Sequence, residues 1–249
     1  MSTLRKLKRI DDPEPPAYWS AHRYCDTGGM EEYYGGDPVQ QLRRGEAGEC
    51  NMSKRKQERS IHLVHSADRL QIPEDGRILE LGCNVGRNLR YLIWENSREF
   101  IGLDVCKTAL ELASLAPVPN PALGISSMVR MEDRGQFHHM DLLTNPGFLD
   151  RYHDDYFDMG VSCWFLTHLP HGPAKDQLVH GLLRTCQTGV IIEPYAPAGE
   201  ELMSAVAEGL YTTFEDYRTY DSRIQPTADG IIGTQNLTKM IRDEVAYQF

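Results

Sequence analysis

Glu80, Asp104 and Asp141 stand at the ends of short strand-like segments. A glycine-punctuated turn, Gly82-Cys83-Asn84-Val-Gly86, follows the first of them. Glycines in such a turn let the backbone bend sharply and approach a ligand closely. A carboxylate like Asp104, 18 residues past Gly86, can accept bonds from both hydroxyls of a ribose. Asp141 suits the amino group of an adenine. The turn lacks the G-x-G-x-x-G spacing of a dinucleotide loop, because Asn84 and Arg87 hold the second and third glycine positions. Nor does a G-K-[ST] sequence follow, so it is not a P-loop. A glycine turn, a ribose carboxylate and a third acid together describe a site for a nucleoside-containing cofactor that has no pyrophosphate. Asn84 is compatible with the turn, since Asn enters the left-handed region more readily than most residues.

The elements that position these residues alternate. Arg77–Leu81 reads as a buried strand, and Phe100–Asp104, Gln136–Met140, Tyr156–Cys163 and Gly189–Glu193 as four more short strands. Helical spacing marks 88–96, 108–115 and 173–184, the last with Pro173 in its first turn. Pro117, Pro119 and Pro121 predict a loop, and Pro194 predicts the end of the fifth strand. Strands alternating with helices give an α/β fold, Rossmann-like and doubly wound, with a mostly parallel sheet covered on both faces. In such sheets ligands bind at the carboxyl ends of the strands, near the switch in strand order. Residues 60–249 are expected to form this domain. Residues 1–59 read as an N-terminal lead-in, whose tyrosines near Gly28 and Gly36 could close over a pocket as a lid. Lys54, Arg55, Lys56 and Arg59 read as the solvated face of a helix reaching about Leu70. Ala198–Leu210 reads as a helix, and Ile231–Phe249 as a closing strand pair or an interface.

Four segments in order resemble the class I S-adenosylmethionine-dependent methyltransferases. They are Ile78-Leu-Glu-Leu-Gly-Cys-Asn-Val-Gly-Arg-Asn-Leu89, Gly102-Leu-Asp104, His139-Met-Asp141, and Phe157-Asp158 leading to Leu166-Thr-His-Leu-Pro170. The resemblance covers about residues 76–194. It implies a seven-stranded sheet with one antiparallel strand near the C-terminal end, and S-adenosylmethionine as cofactor. It places Glu80, Gly82 and Gly86 on the methionine side, with Cys83, Asn84 and Cys163 beside them. Asp104 with Val105 would take the ribose, and Asp141 with Leu142 would border the adenine. The family usually has glycine where this chain has Asn84.

The resemblance also points to methyl transfer by in-line displacement. Such a reaction needs an acceptor atom held about 3 Å from the methyl group, with water excluded. A hydroxyl acceptor usually needs a general base; an amine needs only to be neutral. The candidate bases are His168 and His171, in the segment after the fourth strand, and Glu193 at the end of the fifth. Tyr33, Tyr34 and Trp164 are the candidate acceptor-binding residues. His138 and His139 adjoin on a strand and point to opposite faces, so no metal site is expected.

The chain has 249 residues and a net charge of −10. An acidic total weighs against a nucleic-acid substrate, which favours a small-molecule acceptor, methylated at oxygen or nitrogen. The basic stretches Arg5–Arg9 and Lys54–Arg59 are the support for a macromolecular acceptor, RNA or protein. A third reading is a regulatory protein that binds the cofactor without catalysis. Six cysteines lie far apart with no C-x-x-C pair, which argues against zinc and a disulfide framework. No apolar run reaches the length of a membrane span, and the first ten residues have charge without an apolar core, so a cytoplasmic location is expected. Oligomeric state leaves no signal in the pattern.

Overall fold

The computed structural model describes residues 54–94, 96–120, 122–195, 217–237 and 240–249. The lead-in up to residue 53, including Tyr33 and Tyr34, and the 198–210 segment lie outside the described residues. The division of the chain at residue 59 therefore remains an expectation.

The first described helix, α1, is Lys54–Arg69. Strand β1 (Arg77–Leu81) and helix α2 (Arg87–Leu92) carry the glycine turn between them. Strand β2 (Glu99–Asp104) is followed by α3 (Lys107–Ser114). Two strands, β3 (Pro117–Asn120) and β4 (Gly124–Arg130), precede β5 (Gly135–His139). Then come β6 (Met159–Cys163), α4 (Pro173–Thr185), β7 (Gly189–Tyr195), β8 (Gln225–Leu237) and β9 (Met240–Gln248).

Seven strands form one sheet in the order β5-β2-β1-β6-β7-β9-β8. The first five run parallel. Strand β9 is antiparallel to both β7 and β8, so one strand of the seven is reversed. The C-terminal pair is thus part of the main sheet. Chain order reverses between β1 and β6, which places the switch point beside the Gly82 turn and Cys163.

Period-two alternation sorts the side chains to two faces. On β1, Ile78 joins a core with Leu63 and Ala67 of α1 and Leu89 and Leu92 of α2. Leu79 and Leu81 face the other way, onto Leu178, Val179 and Leu182 of α4. Helix α1 is held by this stripe: Ser60, Leu63 and Ala67 recur at helical spacing and are buried. Both layers anchor the carboxyl ends of β1, β2 and β6, where the chemistry-bearing residues sit.

Three expectations need correction. The proline-rich stretch after α3 is not a loop: β3 pairs antiparallel with β4 as a separate two-stranded sheet, with Pro117 opposite Arg130 and Pro119 opposite Met128. Proline lacks only the N–H, and an isolated ribbon has an edge that demands none. Leu123, between the two strands, is 69% exposed. Pro194 does not end β7, which continues to Tyr195. Pairing of β7 with β6 stops at Ile192, so the proline sits beyond that ladder and still pairs across to β9 at Glu244. Finally, Arg59 is not on a solvated face. It is buried, with its guanidinium carbon 4.3 Å from the centroid of the Trp164 ring.

Candidate active site

The turn after β1 is built on alternating left-handed residues. Gly82, Asn84 and Gly86 have φ of 69°, 48° and 69°. Asn84 therefore occupies a position that requires positive φ, which explains why asparagine can stand where the family has glycine. Its side-chain Oδ1 accepts from the Val85 N–H at 2.8 Å, fixing the turn locally. The N–H groups of Gly82 and Cys83 donate to the Leu103 carbonyl, tying the turn to the end of β2.

Asp104 completes that tie. Its Oδ2 accepts from the Asn84 N–H at 2.7 Å, and its Oδ1 from the Cys106 N–H at 2.8 Å. Burial raises the Asp104 pKa, and backbone hydrogen bonds from Cys106, Asn84 and Val105 oppose that rise. The carboxylate keeps lone-pair capacity for a ligand hydroxyl beyond these backbone bonds. Val105 follows on the same strand end, where its carbonyl lies 3.0 Å from His139 Nε2. Asp141 caps its own loop, its Oδ1 accepting from the Leu143 N–H at 2.9 Å, and Leu142 beside it is buried.

Glu80 is buried among polar residues from two helices. Its Oε1 accepts from Asn88 Nδ2 at 2.8 Å, and Asn88 Oδ1 in turn accepts from Ser60 Oγ at 2.8 Å. Arg87 adds its Nε to Ser60 Oγ at 3.2 Å. Among the described residues Glu80 Oε2 has no hydrogen-bond partner. Burial pushes the Glu80 pKa up to about 8, although the Asn88 bond and the Arg87 charge pull it down. A buried carboxylate with an open oxygen calls for a cation or a donor.

Across the switch point, β6 ends at Cys163, whose thiol is raised to about 12 by burial. Trp164 follows with φ of 57°, and its N–H donates to the Ile192 carbonyl at 2.8 Å. Left-handed backbone at a tryptophan is strained and persists only where its surroundings hold it. Phe165 lies directly over the turn: a Cβ added to Gly82 would fall 2.4 Å from its ring. The short 3-10 segment Leu166–His168 comes next. The His168 side chain lies outside the described residues. His171 is exposed.

Glu193 is buried on the opposite sheet face from Cys163. Its Oε1 accepts from Ser162 Oγ (3.3 Å), Phe165 N–H (3.1 Å) and Leu166 N–H (2.9 Å), and its Oε2 from Thr167 N–H (3.3 Å). Burial pushes its pKa up to about 7, opposed by the charge of Lys175 and by those N–H groups.

The structure thus brings Glu80, Gly82, Cys83, Asn84, Gly86, Asp104 and Val105 to one strand edge. Cys163 and Trp164 stand across the switch point from them. Ser60, Asn88 and Phe165 escaped sequence reading. Asn88 left a signal, a polar residue inside an apolar helical stripe facing a strand. Ser60 and Phe165 left none, because their partners lie 28 or more residues away or are found only in the folded chain.

The fold is the one the sequence resemblance implied, that of the class I S-adenosylmethionine-dependent methyltransferases. No family model matches the chain. It is 26% identical over 152 residues to methyltransferase GfsG of Streptomyces halstedii, an alignment covering 58% of this chain and 48% of that protein. The chain therefore spans about half the length of that relative. In fold it is similar to the geranyl diphosphate C-methyltransferase of Streptomyces coelicolor A3(2), with a TM-score of 0.58 at 12% identity, covering 95% of this chain and 98% of that one. It is similar also to the magnesium protoporphyrin IX methyltransferase of Synechocystis PCC 6803, with a TM-score of 0.50 at 14% identity, covering 97% and 98% of the two chains. Among the described residues no helix is long and apolar enough to cross a membrane.

Proposed function

We propose that this protein transfers a methyl group from S-adenosylmethionine to an oxygen or nitrogen of a small-molecule acceptor. The observation that carries the reading is the cradle made by Asp104 and the Asn84 turn, two strand ends locked into one surface by a 2.7 Å hydrogen bond. The residues fit the cofactor. Asp104 would hold the ribose hydroxyls, and Glu80, whose buried Oε2 has no hydrogen-bond partner among the described residues, would lie on the side of the cationic methionine portion. Asp141 and Leu142 would border the adenine. When bound, the cofactor supplies an electrophilic methyl group on a sulfonium.

The chain's own residues do the rest. Gly82 and Gly86 present backbone without side chains, and the Asn84 side chain is turned onto the Val85 N–H. Trp164 and Phe165 form an apolar wall beside the turn, which excludes water from the reacting face. His168 and His171, on the segment that follows, are the candidate bases for a hydroxyl acceptor, and neither is needed for a neutral amine. Tyr33 and Tyr34 are proposed to close over the acceptor. The small-molecule reading is supported by the net charge of −10 and by Arg59, which is turned inward onto Trp164 and is unavailable to a phosphate backbone. The GfsG name, a methyltransferase, supports the reaction class.

Calorimetric titration with S-adenosylmethionine and S-adenosylhomocysteine tests the reading. Micromolar binding of both is expected. Absence of binding in a folded sample would refute it.

A further inference from the structure

We infer that Glu193 is a positioning residue that clamps the acceptor wall against the cofactor turn, so that the two sides of the site hold one shape. The inference rests on the proposed function only in taking residues 164–171 as the acceptor side.

The geometry is specific to this carboxylate. Four donors converge on it: the Ser162 hydroxyl within β6, and three consecutive backbone N–H groups at Phe165, Leu166 and Thr167. Those three N–H groups open the 3-10 segment Leu166–His168, where no intrahelical acceptor is available to them. A carboxylate there acts as a cap supplied from the neighbouring strand. Lys175 of α4, fully buried, partly offsets its charge.

The cap fixes two further features. Trp164 keeps a left-handed backbone, with its own N–H on Ile192, one residue before Glu193. Phe165 is held over Gly82 so closely that no side chain fits between them. Gly82 opens the turn whose Asn84 N–H binds Asp104. The chain of contacts therefore runs from Glu193 through Phe165 to the cofactor cradle. A general base must reach the acceptor. Glu193 is buried at 1% exposure, with three donors on Oε1 and the Thr167 N–H on Oε2, which makes it a scaffold for the wall.

The test uses the full chain with Trp19→Phe and Trp94→Phe, so that Trp164 is the one remaining tryptophan. Glu193→Ala and Glu193→Asp are compared with Glu193→Gln. The aspartate keeps the charge but is one methylene too short to reach the three N–H groups. The glutamine keeps an oxygen in place. Expected results are a red-shifted Trp164 emission and roughly ten-fold weaker S-adenosylhomocysteine binding for the alanine and aspartate variants. The glutamine variant should retain the parent emission and bind within about three-fold of it. Parent-like emission and affinity in Glu193→Ala or Glu193→Asp would overturn the inference. So would a glutamine variant as perturbed as the alanine one. If the parent itself fails to bind S-adenosylhomocysteine while its emission still responds to Glu193, the cofactor reading falls and the clamp stands.

Discussion

The Asn84 N–H points into the Asp104 carboxylate at 2.7 Å, so the turn after β1 and the end of β2 are a single hydrogen-bonded unit. The same carboxylate is the proposed ribose ligand. Asp104→Asn should weaken S-adenosylhomocysteine binding by about 1.5–3 kcal/mol, the value of hydrogen bonds to a charged group. Titration calorimetry on a variant shown to be folded reads it. Equal affinity in the two proteins would remove Asp104 from the ribose site.

Glu80 makes a prediction in pH. Its carboxyl is raised to about 8, so at neutral pH it is mostly protonated without ligand. A cationic ligand facing Oε2 must draw the proton off. S-adenosylmethionine affinity should therefore rise as pH goes from about 6.5 to about 9, and binding near pH 7 should release a proton. Glu80→Gln should flatten that rise. Calorimetry in two buffers of different ionisation enthalpy counts the proton; zero release in the parent protein contradicts the assignment.

The same shift has a stability consequence of definite sign. A carboxyl whose folded pKa lies above its unfolded value of 4.5 contributes stability below that value, and loses it as pH rises through the folded pKa near 8. Glu80→Gln mimics the protonated form. The melting temperature of the variant relative to the parent should climb between pH 5 and about pH 8 and then level off. A difference that stays constant or falls would show that burial does not control this group.

Gly82→Ala tests the close approach of Phe165. The substitution puts a methyl 2.4 Å from that ring and forces an L-residue to φ of 69°. A loss of about 2–4 kcal/mol in unfolding free energy is expected, with loss of cofactor binding. Urea denaturation measures the first and calorimetry the second. A variant within about 0.5 kcal/mol of the parent would mean that the wall yields easily.

Arg98 is buried and bonds three carbonyl oxygens, those of Pro73, Leu92 and Ile72, at 2.9, 3.1 and 2.8 Å. A lysine has one nitrogen where these bonds use three. Arg98→Lys should lower stability by about 2–3 kcal/mol with cofactor affinity unchanged in the folded fraction. A midpoint equal to the parent's would show that water replaces the guanidinium at no cost.

Much of this site was legible in the sequence because it is local. Gly82, Asn84 and Gly86 announce a turn by residue type, and Asp104 and Asp141 announce strand ends by position. Strands β1, β2 and β7 show themselves as short apolar runs. What was missed depends on long-range pairing. Nothing in Pro117–Pro121 indicates that β4 will arrive to pair with it, because proline reports only what the chain cannot donate. Arg59 reads as one charge in a basic run, and only the folded approach of Trp164 reveals it as part of an inner wall. Glu193 reads from the sequence as a candidate base, and more readily as a loop-capping acid. The choice is made by three N–H groups that are 26 to 28 residues away along the chain.

The β3–β4 ribbon shares no ladder with the seven-stranded sheet, while its base is gripped by Arg90 at the Pro117 carbonyl and Arg134 at the Pro119 carbonyl. Its far end, around Ala122 and Leu123, is open to solvent. That combination makes the tip a handle. A short epitope or a single labelling cysteine between Ala122 and Leu123 would ride on a stiff stem without entering the register of any catalytic strand. The protein could then be tethered to a surface in one orientation.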